Sequence, residues 1–203
     1  MKNAALIRRL SGLETFDRPD PKLEQVATPP EAAAELLNLA LQRGDLEGRS
    51  VADLGAGTGL LGIGAKLLGA REVVAIEVDP DAVEVARRNA TKAKVDLRVE
   101  KMDVERFAEK VDTVVMNPPF GAQRRHADLP FWDAALRSAQ RGTYAFALAD
   151  SRTFIARRAV ERAASIAENR PVRWVLPASF PHHTKPQVPI PVDLWVLGAA
   201  KNP

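Results

Sequence analysis

Apolar runs of strand length alternate with helical patterns from about residue 30 of the chain onward. The run R-S-V-A-D-L is followed by the helical stretch G-L-L-G-I-G-A-K-L-L, which leads into a second run, R-E-V-V-A-I-E. Such an alternation is typical of chains in which helices connect the strands of a parallel sheet. We therefore expect an α/β fold with a mostly parallel sheet.

The last part of the chain has a different pattern. Two strand-like runs, around V-R-W-V-L and P-V-D-L-W-V-L, are joined by a loop rich in Pro and His, with no helical pattern between them. Strands joined without a crossover helix can pair antiparallel. With V-D-L-R-V-E-K as an edge or half-covered strand, V-D-T-V-V-M as a core strand and T-Y-A-F-A-L-A as a buried one, about seven strands are predicted.

The positions of three helices can be predicted from the sequence. Thr28 is expected to cap a helix with proline at its first position and Glu31 three residues on. A second helix is expected from Pro80 to Ala90, and an amphipathic helix over residues 151–168.

The composition limits the possible chemistry. The chain has no cysteine and three scattered histidines, which excludes disulfides and thiolate metal sites, so we expect no metal. The lack of cysteine fits a reducing, cytoplasmic compartment. No segment approaches the roughly 20 apolar residues that a membrane helix needs.

Charge is distributed unevenly along the chain. Residues 1–116 hold 17 Lys and Arg against 20 Asp and Glu, whereas residues 117–203 hold 12 against 6. A basic half of this kind is either a solvated surface or a surface that binds a polyanion. The charge split therefore permits a nucleic-acid partner without requiring one.

A glycine-rich loop follows the first predicted strand. Gly57, Gly59 and Gly62 satisfy G-x-G-x-x-G, and Glu77 lies 20 residues beyond Gly57, as a dinucleotide site requires. The same stretch contains D-x-G-x-G-x-G at residues 53–59, which resembles the first motif of class I S-adenosylmethionine-dependent methyltransferases.

Acidic residues around the loop help to distinguish these two ligands. Asp53, Glu77, Asp79 and Asp103 lie at or just beyond the carboxyl ends of predicted strands, where open α/β sheets bind ligands. A pyrophosphate prefers amides with few carboxylates nearby, whereas S-adenosylmethionine is net cationic. The acids favour S-adenosylmethionine, and Glu77 offers two acceptor oxygens for the two ribose hydroxyls.

The fourth predicted strand ends on Asn117-Pro118-Pro119-Phe120. The prolines cannot extend a ladder and hold the backbone extended, so that the Asn117 side-chain oxygen and the Pro118 carbonyl are acceptors at a set angle. Two such acceptors can orient an exocyclic amine for methylation, with Phe120 as a face for an unstacked base. Without the glycine loop, the same residues would favour an Asn-Pro turn with a core phenylalanine.

N-P-P-F at this place resembles the fourth motif of amino-methyltransferases, which act on adenine N6, cytosine N4, guanine N2 or a protein glutamine amide. The resemblance implies that Asp103 accepts from the cofactor's adenine amine, that the Val104 backbone amide faces its ring and that Asp53 helps to hold the methionine end. The cofactor-binding residues that we expect are Gln25, Thr28, Asp53, Gly55, Gly57, Thr58, Gly59, Leu60, Glu77, Asp79, Asp103 and Val104.

A second resemblance covers nearly the whole chain, from about Leu6 to Leu197. L-E-Q-V-A-T-P-P-E-A-A-A, V-M-N-P-P-F-G with its basic loop, and L-P-A-S-F-P-H-H-T-K with V-D-L-W look like the archaeal and eukaryotic methyltransferase-like family that N6-methylates an adenosine of small-subunit ribosomal RNA. The resemblance implies that Gln25 and Thr28 close over the cofactor and that the N-P-P-F residues hold the adenine.

The same resemblance implies partners for the chain. The candidates for contact with RNA are Arg124, Arg125, His182, His183 and Lys185. The chain departs from the eukaryotic pattern in the loop after Phe120 and in its terminal basic loop, where prolines replace part of a lysine run. Members of the family and related enzymes can work with a small zinc-binding activator protein docked on the third strand, here near Val95 to Lys101, which the expected strand order leaves at the sheet edge.

These observations predict a Rossmann-like class I methyltransferase fold, with a seven-stranded, mostly parallel sheet of order 3-2-1-4-5-7-6, an antiparallel last strand and helices on both faces. One domain is expected, with an N-terminal helical cap (1–45), a cofactor-binding core (49–150) and a C-terminal helix with an antiparallel strand pair (151–203). The predicted activity is S-adenosylmethionine-dependent N6 methylation of adenine in structured RNA, with small-subunit ribosomal RNA as the preferred candidate. The alternatives are a guanine-N2 RNA or protein-glutamine methyltransferase, an NAD-dependent oxidoreductase and a non-catalytic RNA-binding protein.

Overall fold

Seven strands form one sheet in the computed structural model, which describes residues 1–121, 127–174 and 190–200. In chain order the strands are β1 (Ser50–Leu54), β2 (Glu72–Glu77), β3 (Arg98–Lys101), β4 (Val111–Met116), β5 (Ala139–Leu148), β6 (Ile166–Val172) and β7 (Val192–Gly198). The helices are α1 (Asn3–Ser11), α2 (Pro30–Gln42), α3 (Leu60–Leu67), α4 (Pro80–Ala93), α5 (Leu129–Ser138) and α6 (Arg152–Glu161). Short 3-10 turns cover Pro21–Leu23, Val104–Arg106 and Ala149–Ser151.

The strand order is β3-β2-β1-β4-β5-β7-β6. Strands β1 to β5 pair in parallel, and β7 runs antiparallel to both of its neighbours, β5 and β6. This confirms the predicted order and the predicted antiparallel last strand, and it places β3 at one edge of the sheet. The parallel strands put their carboxyl ends on one side of the molecule, which is where the glycine loop and the N-P-P-F residues begin.

Successive residues along the inner strands belong to two different cores, one on each face of the sheet. In β5, Tyr144 and Phe146 pack with helices α1, α2 and α3, whereas Ala145 and Ala147 pack with α5 and α6. Both faces are covered, which is why these strands read as nearly continuous apolar runs in the sequence. The residues described by the structure include no helix that is both long and apolar enough to cross a membrane.

The start of α2 differs from the prediction. The N-cap residue is Pro29, the helix begins at Pro30, and no side chain caps it. The Thr28 hydroxyl is used elsewhere, because it accepts a hydrogen bond from the Asn117 side chain. The predicted cap at Thr28 is therefore wrong, and the reason is a competing tertiary partner that local sequence does not show.

Helix α4 begins at Pro80, as predicted, but continues three residues past the expected end, to Ala93. The chain leaves the helix through Lys94, which adopts a left-handed conformation with φ of 56°. The helix continues this far because Ala90 and Ala93 pack against Ile63 of α3.

The helix predicted over residues 151–168 is shorter than expected. Helix α6 ends at Glu161, Ala163 has a φ of 52°, and the chain then enters β6 at Ile166. In β6, Glu168 and Arg170 pair with Arg43 and Glu35 on α2 and beside its end. Residues 166–168 of the predicted helix thus belong to β6, which pairs with β7. The strand expected around V-R-W-V-L therefore begins earlier in the chain than predicted.

Candidate active site

The carboxyl ends of the parallel strands bring the predicted acids and the amide to one edge of the sheet. Asp53 is the penultimate residue of β1 and Glu77 the last residue of β2. Asp103 follows β3 by two residues, and Asn117 follows β4 directly. The edge predicted to bind ligands is therefore the edge on which these side chains are found.

The glycine loop between β1 and α3 depends on glycine at two positions for both backbone and packing reasons. Gly55 and Gly57 have φ values of 68° and 54°, which side chains rarely adopt. A Cβ added to Gly55 would lie 2.7 Å from the ring of Phe131, and one added to Gly57 would lie 2.8 Å from the ring of Phe16. Aromatic rings therefore lie directly against the loop. Of the other predicted loop residues, Thr58 is buried, Gly59 is the N-cap of α3 and Leu60 begins that helix.

The carboxylates of Glu77 and Asp53 hold the loop in place. One Glu77 oxygen accepts from the Gly57 N–H at 2.7 Å, and the other accepts from the Val78 and Asp79 N–H groups at 2.8 and 3.0 Å. The Asp53 carboxylate accepts from the Gly62 N–H at 2.7 Å. Both acids are thus structural parts of the loop as well as candidates for ligand binding.

The electrostatics of these two acids favour a cationic ligand. Burial raises the pKa of Asp53 to about 7, and the negative charge of Glu77 adds to this rise. Burial also raises the pKa of Glu77, against the lowering effect of its backbone N–H donors. A cation placed between two buried carboxylates would relieve both their desolvation and their mutual repulsion, whereas a pyrophosphate would add to the repulsion.

The segment of residues 13–28 lies across this edge and is tied to α4 and to the strand ends. The Gln25 side chain donates to the Asp79 carboxylate at 2.6 Å and accepts from the Asp20 N–H at 2.7 Å. The other Asp79 oxygen caps α4 through the Asp81 N–H at 2.9 Å. Gln25 is therefore brought to the predicted edge, where it holds the segment on Asp79.

Asn89 of α4 is a site residue that the sequence reasoning missed. Its side chain is fully buried and makes three hydrogen bonds: it accepts from the Glu14 N–H at 2.8 Å and donates to the carbonyls of Glu14 and Thr58 at 3.0 and 2.9 Å. It thereby joins the segment of residues 13–28 to the glycine loop. The available signal was an asparagine on the apolar face that Ala86, Ala90 and Ala93 define, because buried polar groups are kept for their hydrogen bonds.

The two ends of the Asn117 amide differ in their contacts within the described structure. Its nitrogen donates to the Thr28 hydroxyl oxygen at 2.9 Å and, at the limit of hydrogen-bond length, to the Val26 carbonyl at 3.5 Å. Its side-chain oxygen is buried without a hydrogen-bond partner among the residues that the structure describes. Of the prolines that follow, Pro118 is buried and Pro119 half-buried.

The ring of Phe120 is half-buried and rests on an aromatic stack. It meets Trp174 edge to face, with ring centroids 5.8 Å apart, and Trp174 meets Phe146 in the same way at 5.0 Å. Phe120 can therefore both pack against the core and offer a face to an unstacked base, because the residue is only partly buried. Trp174 lies just beyond β6, and the sequence reasoning gave it no role at the site.

The remaining predicted cofactor residues lie at the end of β3. Asp103 is exposed, and its carboxylate accepts from the Glu105 N–H at 2.9 Å. The Val104 side chain is buried in the core on the face of the sheet that α5 and α6 cover. Val78, next to Glu77, keeps 46% of its surface exposed, so it leaves an apolar surface at this edge that the sequence reasoning did not identify.

The predicted RNA-contacting residues Arg124, Arg125, His182, His183 and Lys185 lie outside the described residues. All three arginines on α6 have acidic partners: Arg152 pairs with the buried Asp193 at 2.5 Å, Arg157 with Glu161 at 3.5 Å, and Arg158 with Asp133 at 2.5 Å.

Comparisons with known proteins agree with this geometry. The methyltransferase small domain family model matches residues 29–142. The rRNA N(6)-adenosine-methyltransferase Mettl5 of Drosophila melanogaster is 34% identical, with 96% of this chain and 95% of the fly protein aligned. The corresponding Danio rerio enzyme is 33% identical, with 95% and 97% aligned.

A solved structure extends the likeness to three dimensions. The crystal structure of a candidate RNA methyltransferase from Pyrococcus horikoshii has a TM-score of 0.90 and 40% sequence identity, over 100% of this chain and 98% of that one. The chain that combines this fold, the glycine loop and the N-P-P-F residues thus aligns over almost its whole length with proteins named as methyltransferases. The chain is therefore a methyltransferase of the methyltransferase small domain family, and it belongs with the rRNA N(6)-adenosine-methyltransferases of fly and zebrafish.

Proposed function

We propose that this enzyme transfers a methyl group from S-adenosylmethionine to N6 of an adenosine in ribosomal RNA. One observation carries the proposal: the side-chain oxygen of Asn117 is buried at the end of β4 and accepts no hydrogen bond within the described part of the chain. An exocyclic amine is a donor that would satisfy this acceptor. The names of the fly and zebrafish relatives support adenosine N6 in rRNA as the amine.

The two buried carboxylates support S-adenosylmethionine as the methyl donor. Asp53 would face the methionine end, Asp103 and Val104 the adenine, and Glu77 the ribose. Glu77 already accepts three backbone N–H groups, and a carboxylate has about four acceptor positions, so it has room for one ribose hydroxyl rather than two. When bound, the cofactor supplies the methyl group as part of a sulfonium cation.

The residues after β4 would act by positioning the amine. The Asn117 oxygen and the Pro118 carbonyl would accept its two hydrogens and so orient the nitrogen lone pair, which is otherwise delocalised into the base. Phe120, held from below by Trp174, would support the base. This arrangement needs no strong base, because orientation and electrostatic stabilisation supply the catalysis.

The alternatives make different demands on the site. Guanine N2 and a protein glutamine amide would suit the same acceptors, and the relatives' names are what favours adenosine over them. An NAD-dependent oxidoreductase would place a pyrophosphate beside Asp53 and Glu77, whose burial and raised pKa values disfavour additional negative charge.

The proposed substrate is tested by mass spectrometry of ribosomal RNA nucleosides. RNA from a strain lacking the gene should lose one N6-methyladenosine, and small-subunit RNA is where we expect the loss. Complementation with the wild-type gene should restore it, and complementation with Asn117→Ala should not. An unchanged nucleoside profile in the deletion strain would contradict the proposed substrate.

The proposed cofactor is tested by calorimetry with the purified protein. S-adenosylhomocysteine should bind, and NAD should not. Binding of NAD alone would contradict the proposal even if RNA were bound.

An RNA partner and a protein partner are both compatible with this function. The basic loop residues Arg124, Arg125, His182, His183 and Lys185 are the proposed contacts with rRNA. The small zinc-binding activator stays a prediction, for which β3 at the sheet edge offers a strand to pair with. A cytoplasmic location also stays a prediction.

A further inference from the structure

We propose that Thr28 is a positioning residue for catalysis, whose hydroxyl oxygen holds the Asn117 amide in the orientation that the neighbouring Val26 carbonyl selects, with the amide oxygen presented to the substrate. The inference rests on the proposed function, because it assumes that the Asn117 oxygen accepts from the substrate amine. It changes the role of Thr28, which the family resemblance assigns to the cofactor. The hydrogen bond that carries it joins the Asn117 nitrogen to the Thr28 hydroxyl oxygen at 2.9 Å.

An asparagine amide can face a site with either its oxygen or its nitrogen, and here the choice matters. An exocyclic amine donates two hydrogens, so only the oxygen end of Asn117 can receive it. If the amide were turned over, two N–H donors would face the donor hydrogens of the amine. A device that prevents this inversion therefore acts directly on catalysis.

Two groups on one segment determine the orientation. The Thr28 hydroxyl can accept or donate and would tolerate either end of the amide. The Val26 carbonyl can only accept, so it requires the nitrogen end of Asn117, which lies 3.5 Å away. With both groups facing the nitrogen, the Asn117 oxygen is turned away from the segment and is left without a partner in the described structure.

The segment itself is anchored on both sides of Thr28. On one side, Gln25 donates to Asp79 at 2.6 Å. On the other side, Pro29 and Pro30 lead into α2, and their rings restrict the backbone next to Thr28. A hydroxyl held between two anchors is preorganised, as a group that must orient a catalytic side chain should be.

The two possible roles of Thr28 predict different kinetic effects. A threonine that binds the cofactor would change the affinity for S-adenosylhomocysteine when its hydroxyl is removed. A threonine that orients Asn117 would change turnover and leave that affinity nearly unaltered. Thr28→Val removes the hydroxyl with almost no change of shape, whereas Thr28→Ser keeps it.

The test measures methyl transfer from labelled S-adenosylmethionine to ribosomal RNA isolated from a strain lacking the gene. Thr28→Val should lower kcat roughly ten-fold or more, since it removes one orienting hydrogen bond, with the S-adenosylhomocysteine Kd within about two-fold of wild type. Thr28→Ser should recover most of the turnover. The matched control is Thr91→Val, which removes a hydroxyl that donates to the Arg87 carbonyl on α4, away from the proposed site, and it should behave as wild type.

Thermal unfolding of each variant separates positioning from structural damage, and Thr28→Val should melt within a few degrees of wild type. Wild-type turnover by Thr28→Val, failure of Thr28→Ser to restore turnover, or a rise in the S-adenosylhomocysteine Kd that accounts for the loss would each overturn the inference. If the wild-type enzyme itself does not methylate adenosine at N6, the proposed function fails instead. The two failures are therefore distinguishable in one set of assays.

Discussion

Single residues in this enzyme combine structural and chemical roles. Glu77 and Asp53 hold the glycine loop through backbone N–H groups, and the same burial that makes those bonds effective raises their pKa values. The nitrogen end of the Asn117 amide makes a structural hydrogen bond to Thr28, and its oxygen, unpartnered among the described residues, is the end that we propose for chemistry. Predictions at this scale concern substitutions that separate the two roles.

Asn117→Ala removes the free acceptor at the end of β4. We expect kcat to fall by about 100-fold or more, which is typical for the removal of one preorganised electrostatic interaction, while S-adenosylhomocysteine affinity stays within a few fold. Steady-state kinetics and calorimetry measure the two effects. Asn38→Ala is the control, since the Asn38 amide donates to Asn3 and to the Ala34 carbonyl, and unchanged turnover in Asn117→Ala would remove Asn117 from the mechanism.

Asp53 should make the stability of the ligand-free protein fall as pH rises. Its pKa is raised to about 7 in the folded state, against about 4 in the unfolded chain, so the folded state binds the extra proton between these values. Its contribution is complete below the unfolded pKa and is lost as pH passes through 7. Urea unfolding between pH 5 and 8 should show a decrease of up to about 1.4 kcal/mol per pH unit from this group.

Asp53→Asn tests the assignment, since an amide oxygen can still accept from the Gly62 N–H but does not titrate in this range. The decrease should become smaller, with a remainder due to Glu77, whose pKa is also raised by burial. An identical pH dependence in Asp53→Asn would show that Asp53 is not the titrating group.

At the scale of elements, the segment of residues 13–28 connects the two functional parts of the site. It meets the glycine loop through Phe16 and Asn89, and it meets the residues after β4 through Thr28. Under the proposed function, cofactor binding and amine orientation would thus depend on the same stretch of chain. The loss of the Asn89 side chain, which joins this segment to the glycine loop, should therefore affect both the stability of the site and cofactor binding.

Asn89→Ala removes the side chain that bonds Glu14 and Thr58. We expect the free energy of unfolding to fall by about 2 to 3 kcal/mol, because three hydrogen bonds are removed and buried backbone groups are left without partners. The Kd for S-adenosylhomocysteine should rise as well, since the segment no longer holds the loop. Chemical denaturation and calorimetry measure these effects, and Thr91→Ala on the same helix should change neither.

The end of the chain shows where element-level prediction reaches its limit. The strands were predictable because β1, β4 and β5 are buried on both faces and therefore read as apolar runs. The helix boundary at Glu161 was not, because residues 162–170 contain no proline or glycine that would end a helix, while the pairs that Glu168 and Arg170 make with Arg43 and Glu35 involve residues distant in the chain. Pro171 stands in β6, which among the described strands pairs with β7 alone, and a missing N–H is tolerated in such an edge strand.

At the scale of the whole molecule, charge separates the two sides of the reaction. The net acidic part up to residue 116 contains the carboxylates of the proposed cofactor site, and the net basic remainder begins at the residues that we propose to hold the amine. Arg152 and Arg158 of that basic part are already paired with Asp193 and Asp133. The loop residues are therefore the better candidates for binding phosphate.

Charge reversal in the first loop tests this assignment. Arg124→Glu combined with Arg125→Glu should weaken RNA binding at low salt and reduce the slope of log K against log salt by roughly one for each phosphate that the protein no longer neutralises. Binding to labelled rRNA over a series of salt concentrations measures the slope. Arg87→Glu on α4, where Arg87 pairs with Glu84, is the matched control, and an unchanged slope in the loop variant would indicate a solvated surface.

The sequence by itself determined the fold class, the strand order and the edge of the sheet at which the predicted acids and Asn117 are found. Hydrophobic period, glycine positions and the Asn-Pro-Pro-Phe motif are local features, and local features are what a sequence displays. Only the tertiary structure decided the hydrogen bond between Thr28 and Asn117, the bridge made by Asn89 and the packing of Phe120 on Trp174. These depend on contacts between residues 31 to 89 positions apart in the chain, whose partners no local pattern specifies.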